Sequence, residues 1–213
     1  MDTKQFENKR WSGFDSSIGF RHKAALEMVL SGSVLDLGAG DGVFLEMLGE
    51  SFEDKIGLDI SEEASKKAHT KNLKVEVFDF ASAPLPFDDG RFDTVVMLDV
   101  LEHLYSPQNL MAESVRVSQK HIIISVPNFN ALPARIQMLF GKIPENNTPR
   151  KGHLFWFNLG ILKKMIKSNG LKIVGMKTNT FWQNTFFIGR VTKFLSVKLP
   201  SIFALSFVVK AEK

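Results

Sequence analysis

Cysteine is absent from the 213 residues, and long apolar runs are absent as well. Without cysteine, the chain can form no disulfide, no zinc–thiolate site and no cysteine nucleophile. No stretch reaches the ~18 uninterrupted apolar residues of a membrane-spanning helix, so we predict none. The first twenty residues are polar and charged, without the apolar segment of a secretory signal, so we expect no signal peptide and a cytoplasmic protein.

Acidic residues are absent from Asn146 to Ala211, and this absence divides the chain by charge. Residues 1–145 hold 22 acids and 15 lysines and arginines, whereas residues 146–213 hold 12 lysines and arginines and one acid, Glu212. A block of one sign this long favours anionic partners. A surface that is simply solvated by lysine is the alternative.

Strand-like and helix-like segments alternate along most of the chain. Short apolar runs predict strands at 33–37, 55–60, 73–80, 92–99, 121–126, 171–177 and 204–210. Apolar residues at helical spacing predict helices at 17–30, 43–49, 61–70, 109–117, 129–140 and 159–168. The alternation predicts an α/β fold: a doubly wound, mainly parallel sheet with helices on both faces, in a single domain, 1–213. Residues 1–32 then form an N-terminal arm and helix, and the last two strands form an antiparallel pair at the edge.

Three glycines follow the first predicted strand at alternate positions, in the run Asp36-Leu37-Gly38-Ala39-Gly40-Asp41-Gly42. A strand, a glycine-rich turn and a helix form a small-ligand site at the carboxyl edge of a sheet, because glycine lets a ligand approach the main chain closely. The spacing differs from the dinucleotide fingerprint G-x-G-x-x-G, so it disfavours a nicotinamide dehydrogenase. No Gly-Lys-Ser/Thr follows either, so a Walker phosphate loop is absent.

Acids end the second and third predicted strands. Asp59 lies 19 residues beyond Gly40, where a carboxylate can accept hydrogen bonds from both hydroxyls of a ribose. Asp79 ends the next predicted strand, where a carboxylate can accept an adenine amino group. With Asp36 and Asp41 nearby, a pyrophosphate would be repelled, whereas a cationic sulfonium would be attracted. The pattern therefore indicates a nucleoside ligand that carries positive charge.

Four segments carry a family resemblance: VLDLGAGDG at 34–42, GLDIS at 57–61, FDFASAPLPFDDGRFDTVVMLDVLEHL at 78–104 and IIISVPN at 122–128. In this order they resemble the class I S-adenosylmethionine-dependent methyltransferases. The chain looks most like the small-molecule type and the branch related to the methionine-biosynthesis protein family. The resemblance implies a Rossmann-like, seven-stranded sheet of order 3-2-1-4-5-7-6, with S-adenosyl-L-methionine as cofactor and S-adenosyl-L-homocysteine as product.

The same resemblance implies which residues contact the cofactor. The glycine turn holds the methionine portion, the acid that ends the second strand holds the ribose, and the acid and backbone after the third strand hold the adenine. The end of the fourth strand lies near the sulfonium and the amino acid tail, whereas the acid before the glycines braces the turn. The predicted cofactor-binding residues are Asp36, Gly38, Ala39, Gly40, Gly42, Asp59, Ile60, Asp79, Phe80, Leu98 and Asp99.

Two histidines, His103 and His153, are the predicted catalytic residues. A general base is needed only if the methyl acceptor must lose a proton, and histidine titrates in a suitable range. His103 follows Asp99 and Glu102, whose charges would tune its pKa. It could instead pack over the cofactor or, with those two acids, bind a divalent metal, although our prediction contains no metal. His153 either faces the acceptor from a lid or packs in the aromatic run 155–157.

The acceptor is expected to contact the parts in which related enzymes vary, namely Trp11, Phe14, Tyr105 and residues 129–158. We expect a small-molecule or lipid-linked, anionic acceptor because residues 146–213 are positive. Aromatic and basic residues at 181–200 predict peripheral contact with an anionic membrane, so 181–203 is a second elaboration. Packing on the sheet edge or in a dimer is the alternative, and nucleic acid is disfavoured. The protein would be a monomer or a homodimer.

A different class of function also fits the resemblance. The chain could be a catalytically silent, methyltransferase-like subunit that binds a partner enzyme through its basic, aromatic surface. The three glycines and Asp59 are all present, which favours a working cofactor site.

Overall fold

The computed structural model describes residues 3–13, 16–52, 54–80, 82–144, 148, 151–182 and 185–213, with the side chain of residue 186 left aside. A seven-stranded sheet has the order β3-β2-β1-β4-β5-β7-β6, which confirms the predicted topology. Its strands are β1 (Val34–Leu37), β2 (Lys55–Asp59), β3 (Val75–Val77), β4 (Phe92–Leu98), β5 (Ser118–Pro127), β6 (Lys172–Asn179) and β7 (Ser206–Glu212).

Strands β1 to β5 pair in parallel, and β7 is antiparallel to both of its neighbours, β5 and β6. The expected antiparallel pair is therefore confirmed. Since β6 runs in the direction of β5, the carboxyl ends of β1, β2, β4, β5 and β6 lie at one edge of the sheet, which we call the carboxyl edge. Parallel α/β sheets bind their ligands outside this edge.

Helices surround the sheet: α1 (Thr3–Ser12), α2 (Phe20–Leu26), α3 (Val43–Leu48), α4 (Glu62–Thr70), α5 (Pro107–Val117), α6 (Leu132–Leu139), α7 (Leu159–Ser168), α8 (Phe186–Lys198) and α9 (Pro200–Phe203). A 3₁₀ turn, Leu101–His103, follows β4. Side chains fix two of the helix starts, because the Ser61 hydroxyl accepts a hydrogen bond from the Ala64 N–H and the Asn158 side chain accepts one from Ile161.

The central strands are apolar on both faces because helices cover both faces of a parallel sheet. One apolar cluster includes Leu35, Leu37 and Val95, and a second, on the other face, includes Val34 and Val96. Alternate residues of one strand thus belong to different clusters, as strand geometry requires.

Several segments differ from the prediction, including 186–203, which forms α8 and α9 although no helix is predicted there. The strand expected at 73–80 ends at Val77, because the chain turns away at Asp79, whose carbonyl accepts hydrogen bonds from the N–H and hydroxyl of Ser82. The helix expected at 17–30 is limited to α2, which begins where the His22 ring accepts a hydrogen bond from the N–H of Gly19. The N-terminal arm is helical, as α1. Among the described residues, no helix is both long and apolar enough to cross a membrane.

Candidate active site at the carboxyl edge

The glycine turn joins β1 to α3 and is folded tightly. The Gly38 N–H donates to the Leu58 carbonyl at 2.7 Å, which fastens the turn to β2. Gly40 has a φ of 57°, and a Cβ placed there would lie 2.5 Å from the Cζ2 atom of Trp11. Glycine is therefore required at 40 both by backbone conformation and by a side chain of α1. The space against Gly40 is filled by the protein's own indole ring, which the sequence did not indicate.

Asp59 ends β2 directly beside the turn. Its two carboxylate oxygens accept hydrogen bonds from the N–H groups of Gly40 and Ser61, both at 2.8 Å. Burial raises the pKa of this carboxyl, and the two backbone hydrogen bonds act in the opposite direction. Each carboxylate oxygen has a second lone pair, so the group can brace the turn and still accept ribose hydroxyls.

The other two acids of the turn point inward. Asp36 is buried, and this burial, with Asp59 nearby, raises the pKa of its carboxyl well above the usual value. Asp41 is also buried, which by itself would raise its pKa, but hydrogen bonds from the Ser16 N–H and the Lys71 ammonium outweigh the burial and lower it. Their positions fit a bracing role, as expected for Asp36.

The remaining predicted cofactor residues line the same edge at different depths. Ala39 and Leu98 are buried, and Gly42 lies at the start of α3. Ile60 and Phe80 are half-buried beyond β2 and β3. Asp79 is exposed, two residues after β3 rather than at its end.

Asp99 follows β4 and has an unusual backbone conformation, with a φ of 58°. Its carboxylate accepts a hydrogen bond from the Ser125 hydroxyl, and its other oxygen lies 3.2 Å from the Arg21 Nη1. A non-glycine residue in the left-handed region is uncommon and often marks a functional site.

Arg21, on α2, is a site residue that the sequence analysis missed. Its Nε is buried and, among the described residues, has no hydrogen-bond partner. A buried N–H without an acceptor is costly and calls for an explanation, such as an absent ligand. No sequence signal marked it, because the predicted helix 17–30 shows apolar spacing only, and nothing in its sequence distinguishes Arg21 from an ordinary surface cation.

The two predicted catalytic histidines are neighbours. Their ring centroids are 4.9 Å apart, and the ring of Phe129 lies 5.5 Å from that of His153. The Nδ1 of His103 lies 3.1 Å from the carbonyl oxygen of Gly152. Because a carbonyl only accepts, Nδ1 carries the hydrogen and Nε2 is the acceptor nitrogen of the neutral ring. Burial, followed by the charge of His153, lowers the pKa of His103 to about 4.

Glu102 completes this cluster. It is 1% exposed, its Oε2 has no partner among the described residues, and burial, followed by the charge of Asp99, raises its pKa well above the usual value. One donor atom from each of Glu102, His103 and His153 lies within 4.8 Å of the others, a grouping that could hold a metal ion. Asp99, considered as a ligand from the sequence, is not part of this grouping, and the prediction of no metal stays a prediction.

Helix α1 lies across the carboxyl edge. Besides Trp11 at the glycine turn, a Cβ on Gly152 would lie 3.0 Å from the ring of Phe6, and the Asn8 side chain accepts a hydrogen bond of 2.8 Å from the Ser61 hydroxyl. The sequence did not predict this cover because the two aromatic residues of α1 form no apolar stripe and none of its residues is buried. Tyr105 is exposed, and Phe14 lies outside the described residues.

A family model described as "Methionine biosynthesis protein MetW" matches residues 20–168. A ubiquinone biosynthesis O-methyltransferase of Methylococcus capsulatus is 25% identical over 152 residues, which are 67% of this chain and 64% of that protein. A phosphatidylethanolamine N-methyltransferase of Cereibacter sphaeroides is 28% identical over 132 residues, which are 56% of this chain and 64% of that protein. The match thus spans less than two thirds of either relative.

Solved structures share the fold over nearly the whole chain. A magnesium protoporphyrin IX methyltransferase from Synechocystis PCC 6803, solved with bound S-adenosylhomocysteine, has a TM-score of 0.66 at 17% identity, covering 99% of this chain and 95% of its own. The family model covers well over half of the residues, so this match shows the family of the chain as well as its fold. The chain belongs to the MetW family, a branch of the class I S-adenosylmethionine-dependent methyltransferases.

Proposed function

We propose that this protein transfers a methyl group from S-adenosylmethionine to an oxygen, nitrogen or carbon atom of a small-molecule or lipid-linked acceptor. The observation that carries the proposal is the hydrogen bond from the Gly40 N–H to the Asp59 carboxylate. It brings the glycine turn and the predicted ribose acid together at the carboxyl edge, as the family resemblance implies. Relatives named as O- and N-methyltransferases support the reaction class.

The charges of these residues suit the cofactor. The sulfonium and ammonium groups are cationic, which suits an edge that carries Asp59 and Asp99. The cofactor's carboxylate needs a donor, and the buried Nε–H of Arg21, next to Asp99, offers one. Phe80 and Asp79 would then lie towards the adenine. In this set the acids face the cationic groups of the ligand, and the arginine faces its carboxylate.

The cofactor supplies an activated methyl group on a cationic sulfur. The protein's main contribution is alignment of the acceptor and exclusion of water, because the methyl donor is already reactive. Where the acceptor must lose a proton, His103 can take it at Nε2, and Gly152 keeps the ring in that tautomer. It would act as a weak base, because burial lowers its pKa to about 4 instead of leaving it in the usual histidine range. His153, packed between His103 and Phe129, would line the acceptor side.

The acceptor's class is inferred from charge and from relatives. One relative is named for a phospholipid substrate and one for ubiquinone biosynthesis. The acid-free stretch from Asn146 to Ala211 would attract an anionic molecule or surface. We therefore infer a cytoplasmic protein with peripheral membrane contact through residues 181–200.

Calorimetry with S-adenosylhomocysteine tests the proposal. One bound molecule per chain is expected, with no heat on addition of NAD. The alternative function, a silent subunit that binds a partner enzyme, predicts weak or no binding of S-adenosylhomocysteine. Binding of NAD in its place would favour a dehydrogenase and overturn the proposal.

A further inference from the structure

Helix α8 turns its small and polar residues towards the protein and its apolar residues towards solvent, which is the reverse of an ordinary surface helix. The residues that face the body of the protein are small or polar: Gly189, Thr192 and Ser196 are buried. The residues that face outward include Phe187, 76% exposed, and Phe194, 61% exposed. A surface helix of a soluble protein normally turns its apolar stripe to the core.

Hydrogen bonds hold α8 in this orientation. The Thr192 hydroxyl donates to the Phe181 carbonyl at 3.0 Å, and the Thr178 hydroxyl of β6 donates to the Ser196 carbonyl at 3.3 Å. Polar groups on the inward face of α8 therefore have hydrogen-bond partners in this orientation. Rotation of the helix to bury its phenylalanines would break these bonds, so the outward apolar face belongs to the fold.

A second segment exposes apolar side chains in the same way. At the end of α6 and just beyond it, Leu139 is 81%, Phe140 73% and Ile143 72% exposed. Exposed apolar residues that occur singly are normal, but contiguous ones mark a surface that contacts something else.

Both segments leave the sheet at the carboxyl edge. Pro127, the last residue of β5, and Asn179, the last residue of β6, both pair with Ser206 of β7. The Asn128 side chain then donates to the Ser201 and Ala204 carbonyls, which ties the start of one segment to the end of the other. The two apolar segments therefore begin at the edge that carries the glycine turn and the histidines.

The charge of these segments selects the kind of partner. Neither 128–144 nor 146–211 contains an acid, and the exposed cations include Lys142, Lys193 and Lys198. Lysine is depleted in protein–protein interfaces, whereas helices that lie on anionic membranes combine lysine with phenylalanine and leucine. This composition favours a lipid surface over a protein partner.

We propose that α8 and the 139–143 end of α6 form one docking face that places the carboxyl edge against a bilayer rich in anionic lipids. The inference deepens the proposed function, on which it rests for the claim that the acceptor is reached from the membrane. The docking itself is measured without any cofactor.

Vesicle sedimentation of the full chain tests the docking face. Vesicles of phosphatidylcholine alone are compared with an equimolar mixture of phosphatidylcholine and phosphatidylglycerol, at low and high salt. The protein should sediment with the mixed vesicles, and less so at high salt. Phe187→Ser/Phe194→Ser should weaken binding about 10-fold or more, and Lys193→Gln/Lys198→Gln about fivefold per lysine.

Leu30→Ser is the matched control, because Leu30 is equally exposed but precedes β1 at the opposite edge of the sheet. It should bind vesicles as the unchanged protein does, and all variants should bind S-adenosylhomocysteine normally, which shows that they are folded. Equal sedimentation with both vesicle types, or no loss in the phenylalanine variant, would overturn the docking face. Loss of a dimer in that variant, without vesicle binding by the unchanged protein, would assign the face to self-association. If only S-adenosylhomocysteine binding failed, the proposed methyltransferase function would be overturned, but the docking face would stand.

Discussion

Replacement of Arg21 by glutamine should weaken cofactor binding through one identifiable group. A hydrogen bond to a charged partner contributes about 1.5–3 kcal/mol, and each 1.4 kcal/mol corresponds to about tenfold in affinity. The Arg21 side chain is 40% exposed, so solvent screens part of the interaction. We therefore expect S-adenosylhomocysteine to bind about 10- to 30-fold more weakly to Arg21→Gln, at the lower end of the range set by that contribution.

The assay is calorimetry with two ligands and two variants. 5′-Methylthioadenosine has the same nucleoside and sulfur but no amino acid tail, so its affinity for Arg21→Gln should change less than about twofold, within the scatter of ordinary surface substitutions. Lys23→Gln, an exposed charge on the same helix, is the matched control and should leave both affinities unchanged. An equal loss for both ligands would show that Arg21 only supports the fold through Asp99. Undiminished binding of S-adenosylhomocysteine would refute the reasoning outright.

Three further substitutions test the account. Asp59→Asn leaves one of the two N–H groups facing an amide NH₂, so it should cost about 1–3 kcal/mol of unfolding free energy and weaken S-adenosylhomocysteine binding about 10-fold or more, by calorimetry; unchanged binding would contradict the ribose role. Burial, followed by the charge of Arg21, lowers the pKa of His22 to about 4, below its unfolded value, so stability should fall as the pH drops from 6.5 towards 4, by about 2 kcal/mol at pH 5. His22→Gln should remove this part of the loss in urea titrations, and an identical loss in both proteins would contradict it. Gly40→Ala should lower the free energy of unfolding in urea titrations by about 1–3 kcal/mol. The loss should be smaller in a Trp11→Ala background, because the clash with the indole ring is removed. Equal losses in both backgrounds would show that Trp11 does not lie against Gly40.

The sheet was predictable because its signals are local. Apolar runs such as 121–126, bounded by polar residues and turns, predict buried parallel strands whatever the rest of the chain does. The order of the strands came from the resemblance, and the structure confirms it. The third strand was predicted too long, because an edge strand has one neighbour and its end depends on where the chain turns, here at Asp79.

The parts of the candidate site that lie in one sequence motif could be predicted. The parts formed by segments far apart in the chain could not. The link between Gly40 and Asp59 follows from two neighbouring strands. The contact of His103 with His153 joins residues 50 positions apart and depends on how 152–157 returns to the turn after β4. The cover by α1 and the role of Arg21 gave no periodic signal, because two separate aromatic rings and one arginine do not form an apolar stripe.

The central claim is that the glycine turn and Asp59 form a preorganised site for an adenosyl compound beneath α1. A crystal structure of the protein grown with S-adenosylhomocysteine tests it most directly. The account predicts both ribose hydroxyls within hydrogen-bond distance of the Asp59 carboxylate, and the ligand's carboxylate at the Arg21 Nε. A ligand-free crevice at saturating S-adenosylhomocysteine, with Trp11 and α1 blocking it, would contradict the claim, as would a ribose bound away from Asp59.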